Sequence, residues 1–217
     1  MRLFIYIFAF FVVSAFAPFA FADEPQLQTG DIIFHTSSSK QSYAIMWASK
    51  TLYSHVGIVE VDGEKKFVLE AIGTVSRTPL AKWVARGRLN RYAVVRRTQL
   101  SAEQAKKVVS SAKKKIGKKY DIYFTSKNDE IYCSELVHLA YADAGIEVGK
   151  VERVKELDFD NALVRKLVEK RWKKHPVCKA VATFEECWKL ILEDELVTPV
   201  SIANDQTLER VWSNYPL

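Results

Sequence analysis

Three residues far apart in this chain have the types that nucleophilic acyl transfer requires: Cys133, His55 and Glu70. A cysteine attacks as its thiolate, so it needs a base within reach or a lowered pKa, and the base needs a third group to hold its tautomer. Cys133 stands in Tyr132-Cys133-Ser134-Glu135-Leu136-Val137, where a polar loop gives way to an apolar-periodic segment. The first turn of a helix there presents unpaired N–H groups and the positive end of the macrodipole, and both favour the thiolate. The competing reading is a core cysteine, because a free thiol packs like a small hydrophobe.

A hairpin would bring His55 and Glu70 near each other. The apolar runs His55-Val56-Gly57-Ile58-Val59-Glu60-Val61 and Lys66-Phe67-Val68-Leu69-Glu70-Ala71 flank Asp62-Gly63, a strong hairpin signal. A turn centred on Asp62-Gly63 sets Val61 against Glu64 and carries His55 to a position opposite Glu70, on one face. Cross-strand neighbours at that spacing let a carboxylate hold an imidazole N–H. A one-residue slip would put them on opposite faces, with His55 at a strand end and Glu70 exposed. The sequence leaves both arrangements open. His35, His138 and His175 carry no comparable signal and read as ordinary positions.

The elements that must position these groups can be read in order. Residues 31–34 form a strand after Thr29-Gly30, and residues 42–52 carry Tyr43, Met46, Trp47 and Leu52 at helical spacing. Residues 91–96 read as a strand. Ser101 and Gln104 make a capping box for a helix that Gly117 ends. The Cys133 helix has Leu136, Val137, Ala140 and Tyr141 on its apolar side and stops at Gly145. Two further helices are expected over 159–172 and 183–192, the latter capped by Thr183 with Glu186.

The chain has 217 residues, with 32 Lys and Arg against 26 Asp and Glu, a formal net charge of +6. Lysines cluster at 106–119 and basic residues at 166–174. Such runs are usually solvated faces, but they suit an anionic membrane surface. No nucleic-acid motif accompanies them, so no nucleic-acid partner is expected. Residues 1–22 run from Met1-Arg2 through an apolar stretch to Ala20-Phe21-Ala22, and Asp23 follows. That pattern predicts a cleaved secretory signal peptide, with a retained anchor as the alternative. The remainder, 23–217, is expected to be a single domain with a helical extension from about 150. Of the three cysteines, Cys178 and Cys187 are expected to pair in an oxidising compartment, leaving Cys133 free. A metal site built on His175, Cys178 and Cys187 lacks a fourth nearby ligand, so neither metal nor cofactor is expected.

Four short motifs occur in a telling order: Gly30-Asp31-Ile32-Ile33-Phe34, Ser54-His55-Val56-Gly57-Ile58, Gly117 with Tyr120-Asp121, and Tyr132-Cys133-Ser134-Glu135-Leu136. Together, over about residues 27–147, they resemble the circularly permuted papain-like amidases of the NlpC/P60 superfamily, the YiiX/YaeF group of C92-type cysteine peptidases. The resemblance implies an α+β fold, an antiparallel sheet or small barrel packed against the helix that carries the cysteine. Histidine precedes cysteine here, as permutation of that fold implies. By the same resemblance Cys133 is the nucleophile, His55 the general base and Glu70 its orienting partner. Tyr132 and Tyr120 are candidates for the oxyanion site or pocket, with a bracing role for Tyr120 and Asp121 preferred.

The expectation is an exported enzyme, periplasmic or extracellular, that cleaves an amide or ester through a thioester. The substrate class is either a peptidoglycan peptide or a lipid-linked acyl group. Tyr43, Met46, Trp47 and Tyr53 lean to the second as an apolar cleft. The alternative is a non-catalytic envelope-binding module of the same fold.

Overall fold

The computed structural model describes residues 25–38, 46, 51–157 and 162–216. The leader at 1–22 and most of the segment expected to be helical at 42–52, including Tyr43 and Trp47, lie outside them.

Alternating apolar residues build a six-stranded antiparallel sheet: β1 (Ile32–Ser37), β2 (His55–Asp62), β3 (Lys65–Ile72), β4 (Thr74–Pro79), β5 (Gly87–Arg97) and β8 (Leu208–Ser213), in the order β4-β3-β2-β1-β5-β8. A short helix, α1 (Leu80–Arg86), connects β4 to β5. Beyond β5 come α2 (Ala102–Lys114) and α3 (Cys133–Ala142). The C-terminal part adds β6 (Val151–Arg153), α4 (Ala162–Glu169), α5 (Phe184–Leu192), β7 (Glu195–Val197) and α6 (Pro199–Ala203), with β6 and β7 pairing as a separate ribbon.

Both faces of the sheet are covered. Ile32, Phe34, Val56, Ile58 and Leu69 pack beneath α2 and α3, against Val108, Leu136 and Val137. On the other face Ile33, Val59, Val68 and Val94 pack against Trp83 of α1. Burying an aliphatic side chain of this size contributes roughly 1.5–3 kcal/mol, which fixes α3 against β2 and so places its N-terminus.

The first motif has a structural reason. Asp31, 1% exposed, receives Arg96 through Nε at 2.7 Å and Nη2 at 2.9 Å, a bidentate pair that locks β1 to β5. The Tyr141 hydroxyl donates to the Gly30 carbonyl, tying α3 to the same turn. Gly30 has φ +93°, and a Cβ there would stand 2.7 Å from Leu100 Cδ2.

The hairpin corrects one expectation. β2 and β3 pair Asp62 with Lys65 and Ile58 with Leu69, so the turn residues are Gly63 and Glu64. Gly63, at φ +60°, takes the first central position, where a two-residue hairpin wants a positive φ. The register is two residues away from the expected one. Because side chains alternate with period 2, a two-residue shift keeps His55 and Glu70 on one face as diagonal neighbours. Unforeseen from sequence were α1 and β4, which supply the surroundings of Glu70.

Candidate active site

His55 is the first residue of β2 and lies at the end of the sheet. Its Nε2 is 2.7 Å from Oε2 of Glu70, whose side chain is fully buried. Glu70 Oε1 accepts a hydrogen bond from Thr78 Oγ1 at 2.6 Å and another from Arg86 Nη2. The buried carboxylate therefore meets three donors. Burial alone would raise its pKa, but the bonds from His55, Thr78 and Arg86 outweigh that and hold it down at about 2.

With Nε2 engaged by Glu70, Nδ1 is the ring nitrogen left for Cys133. Cys133 is 1% exposed and opens α3, with Tyr132 as N-cap. Burial pushes the thiol up, yet the hydrogen bond and charge of His55, with the backbone N–H groups of Val56 and Ser134, bring it below its ordinary value. The partner moves oppositely. Burial pulls His55 down, and its bonds to Cys133 and Glu70 carry it up to about 9. These opposed shifts favour a thiolate beside an imidazolium. Glu70 belongs to the layer under α1 and Cys133 to the layer under α3. His55 joins the two.

The two tyrosine candidates separate. The Tyr120 hydroxyl hydrogen-bonds Cys133, and burial together with the thiolate raises its pKa well above the ordinary tyrosine value. The Tyr132 hydroxyl accepts the Val197 N–H at 3.0 Å and braces β7 against α3. Asp121 is fully buried and accepts the N–H groups of Tyr123 and Thr125, both at 2.7 Å, which folds the loop before Cys133. That is the bracing role expected of it. Tyr120, named both as an oxyanion or pocket candidate and as a brace, reaches the sulfur.

His35, read from sequence as ordinary, packs edge-on against His55 with ring centroids 5.0 Å apart and lies 4.2 Å from the Trp83 ring. Burial and the neighbouring His55 hold it neutral, its pKa lowered to about 3. Among the described residues, neither ring nitrogen has a hydrogen-bond partner. His35 is thus an uncharged wall behind the base, and nothing in its sequence setting signalled this. His138 donates from Nδ1 to the Val148 carbonyl at 2.8 Å, away from the cysteine. Tyr53, expected in an apolar cleft, packs instead with Phe34 and Tyr215.

A pocket opens beside Cys133, with an empty volume of ≈ 930 Å³ that includes space open to solvent. Tyr132, Cys133 and Ser134 form one side, and residues 154–199 supply most of the rest. Cys178 and Cys187 form a disulfide that ties the turn after His175 to α5, behind that wall, and Cys133 is free.

The family model described as permuted papain-like amidase enzyme, YaeF/YiiX, C92 family, matches residues 26–212. The match therefore includes the C-terminal part, beyond the 27–147 carried by the four motifs. An uncharacterized protein, YiiX of Escherichia coli strain K12, is 38% identical over 201 residues, 91% of each chain. A crystal structure described as metalloprotein YiiX, from Escherichia coli O157:H7, superposes with TM-score 0.77 at 37% identity, covering 88% of this chain and 99% of that one.

Proposed function

The chain belongs to the permuted papain-like amidases of the YaeF/YiiX family, and from that premise we propose that it is an exported cysteine hydrolase that cleaves an amide or ester through a thioester on Cys133. The observation that carries this reading is the buried chain of contacts Cys133–His55–Glu70, with thiol and imidazole shifted in opposite directions.

In this reading the Cys133 thiolate attacks the carbonyl carbon. The resulting oxyanion is held by the Cys133 backbone N–H at the start of α3 and by the Tyr120 hydroxyl, donors already in place before charge develops. The His55 imidazolium gives its proton to the departing amine or alkoxide. A water then attacks the thioester as neutral His55 takes its proton, and the thiolate leaves. Glu70 holds Nε2–H, which fixes the tautomer and stabilises the imidazolium. The leader pattern at 1–22 and the Cys178–Cys187 disulfide support export to a periplasmic or extracellular setting.

The related Escherichia coli crystal structure is described as that of a metalloprotein, but the described residues of this chain do not fit a metal centre. Among the described residues, no three His, Cys, Asp or Glu side chains stand together as a ligand set. No step is routed through a metal.

The test is the pH dependence of Cys133 alkylation by iodoacetamide, in the wild type and in His55→Ala. A thiolate titrating well below the usual ~8.5 and returning towards it without His55 is the expected result. Titration near 8.5 in both proteins would favour a binding module without turnover.

A further inference from the structure

The pairing of β1 with β2 sets His35 directly opposite His55, and cross-strand partners project their side chains from the same face of a sheet. That face is the one covered by α1. The two imidazole rings meet edge-on, 5.0 Å between centroids, and Trp83 of α1 closes the cluster, 4.2 Å from the His35 ring and stacked on His55 at 6.1 Å. Gly87, where β5 begins, leaves room for the His35 ring: a Cβ there would stand 2.8 Å from His35 Nδ1 and 3.1 Å from His35 Cβ.

An apolar side chain would fill this space more favourably. Among the described residues five buried side-chain atoms lack a hydrogen-bond partner, and four of them belong to His35, Trp83 and Arg86. Two are the ring nitrogens of His35. A buried polar atom left unpaired destabilises the fold, so packing alone does not account for a histidine at this position.

The charges around the cluster supply a reason. Glu70 from β3 and Arg86 from α1 face it, and Cys133 from α3 reaches His55 from the opposite layer. Burial and the His55 charge, with Arg86, keep His35 neutral against the pull of Glu70, so it does not compete with His55 for a proton. A neutral imidazole carries one N–H and one bare nitrogen. Its tautomer can settle with the bare nitrogen nearer the positive ring, and a dipole acts more strongly in a buried site than in water. A hydrocarbon side chain offers no such dipole.

We propose that His35 is a positioning residue for the cysteine chemistry: its neutral ring holds the His55 imidazolium against Glu70 and stabilises that charge through its dipole, although the same ring destabilises the fold. The inference rests on the hydrolase reading above and adds a residue to it. The need is greatest during deacylation, when the sulfur is bound in the thioester and no thiolate balances the imidazolium that forms as water gives up its proton.

Two variants of similar volume separate polarity from packing: His35→Leu and His35→Gln. Each full-length protein is compared with the wild type in the pH dependence of Cys133 alkylation by iodoacetamide and in thermal melting. In His35→Leu the thiol pKa should rise by at least about 0.5 unit, which leaves about threefold less thiolate at a given pH below it. Its Tm should rise by about 2–4 °C, the shift expected for a domain of this size when an unpaired buried polar group is removed. His35→Gln restores a donor and an acceptor, so its thiol should titrate close to the wild type, with no gain in Tm. An unchanged titration in His35→Leu makes His35 a packing residue and overturns the inference, whatever the melting temperature. So does a His35→Gln thiol displaced as far as that of His35→Leu. Should His35→Leu not fold, His35→Met makes the same comparison. Failure of the hydrolase reading shows itself separately, as an ordinary titration of Cys133 in the wild type.

Discussion

Gly57 stands opposite Glu70, one step beyond the Ile58–Leu69 pair, and on the same face as His55. A Cβ on Gly57 would sit 3.5 Å from Glu70 Cβ, 2.5 Å from Val68 Cγ1 and 2.8 Å from the Leu69 carbonyl oxygen. The missing side chain is what lets the Glu70 carboxylate run diagonally to the His55 ring. Gly57→Ala should therefore lower stability by about 1–3 kcal/mol, the usual result of overpacking, and lower activity as well. Thermal melting with a rate assay checks both, and full activity with an unchanged Tm would show that the diagonal tolerates a methyl group.

Glu70→Gln keeps the shape of the side chain but replaces one acceptor oxygen with an NH₂ group. Three donors, from His55, Thr78 and Arg86, converge on that position, so the amide must turn its NH₂ towards one of them. We expect kcat to fall at least about 100-fold, consistent with loss of a base-orienting carboxylate, with the fold retained. Unchanged kcat in a folded variant removes Glu70 from the mechanism.

Tyr120→Phe removes a hydroxyl that bonds Cys133. Loss of one oxyanion donor typically costs about 10²–10³ in kcat, and KM should change little. The thiol pKa should rise, because its thiolate loses a donor. A kcat within twofold of wild type would return Tyr120 to a bracing role.

The pH profile follows from the shifted groups. The reaction needs protonated His55, whose pKa is raised to about 9, so kcat/KM should decline on the alkaline side near that value. Stability has its own window. The contribution of His55 is complete below its ordinary value of 6.5 and is lost as pH rises through about 9. That of Glu70 is complete above its ordinary 4.5 and is lost as pH falls through about 2. Both are fully present only between about 4.5 and 6.5, where the melting temperature should show their joint effect. In His55→Ala the alkaline loss of stability should disappear, and its persistence would assign that loss to another group.

The Cys178–Cys187 disulfide closes a sequence separation of 9 residues. Chain entropy gives such a loop ~2–3 kcal/mol. Reduction should lower Tm accordingly and weaken any ligand that protects Cys133 through the pocket, since α5 forms part of its wall. Equal melting with and without reductant would show that the wall stands by packing alone.

Local patterns determined much of this protein. The helix starts at Ser101, Cys133 and Thr183 were legible because caps and apolar spacing act within a few residues. The shared face of His55 and Glu70 was legible because side-chain alternation along a strand survives a two-residue error in register. The family followed from four short motifs in order. Only the tertiary structure decided the rest. The turn at Gly63-Glu64 was chosen by pairing along the whole of β2 and β3, and Asp62-Gly63 alone could not set it. Arg86, Thr78, His35 and Trp83 reach the site from β1, β4 and α1, and no local pattern marks a side chain whose partner lies across a sheet. The choice between Tyr120 and Tyr132 depended on the path of a loop held by Asp121. The pocket has walls contributed by residues 122–199, so its apolar character exists only once those segments are packed together.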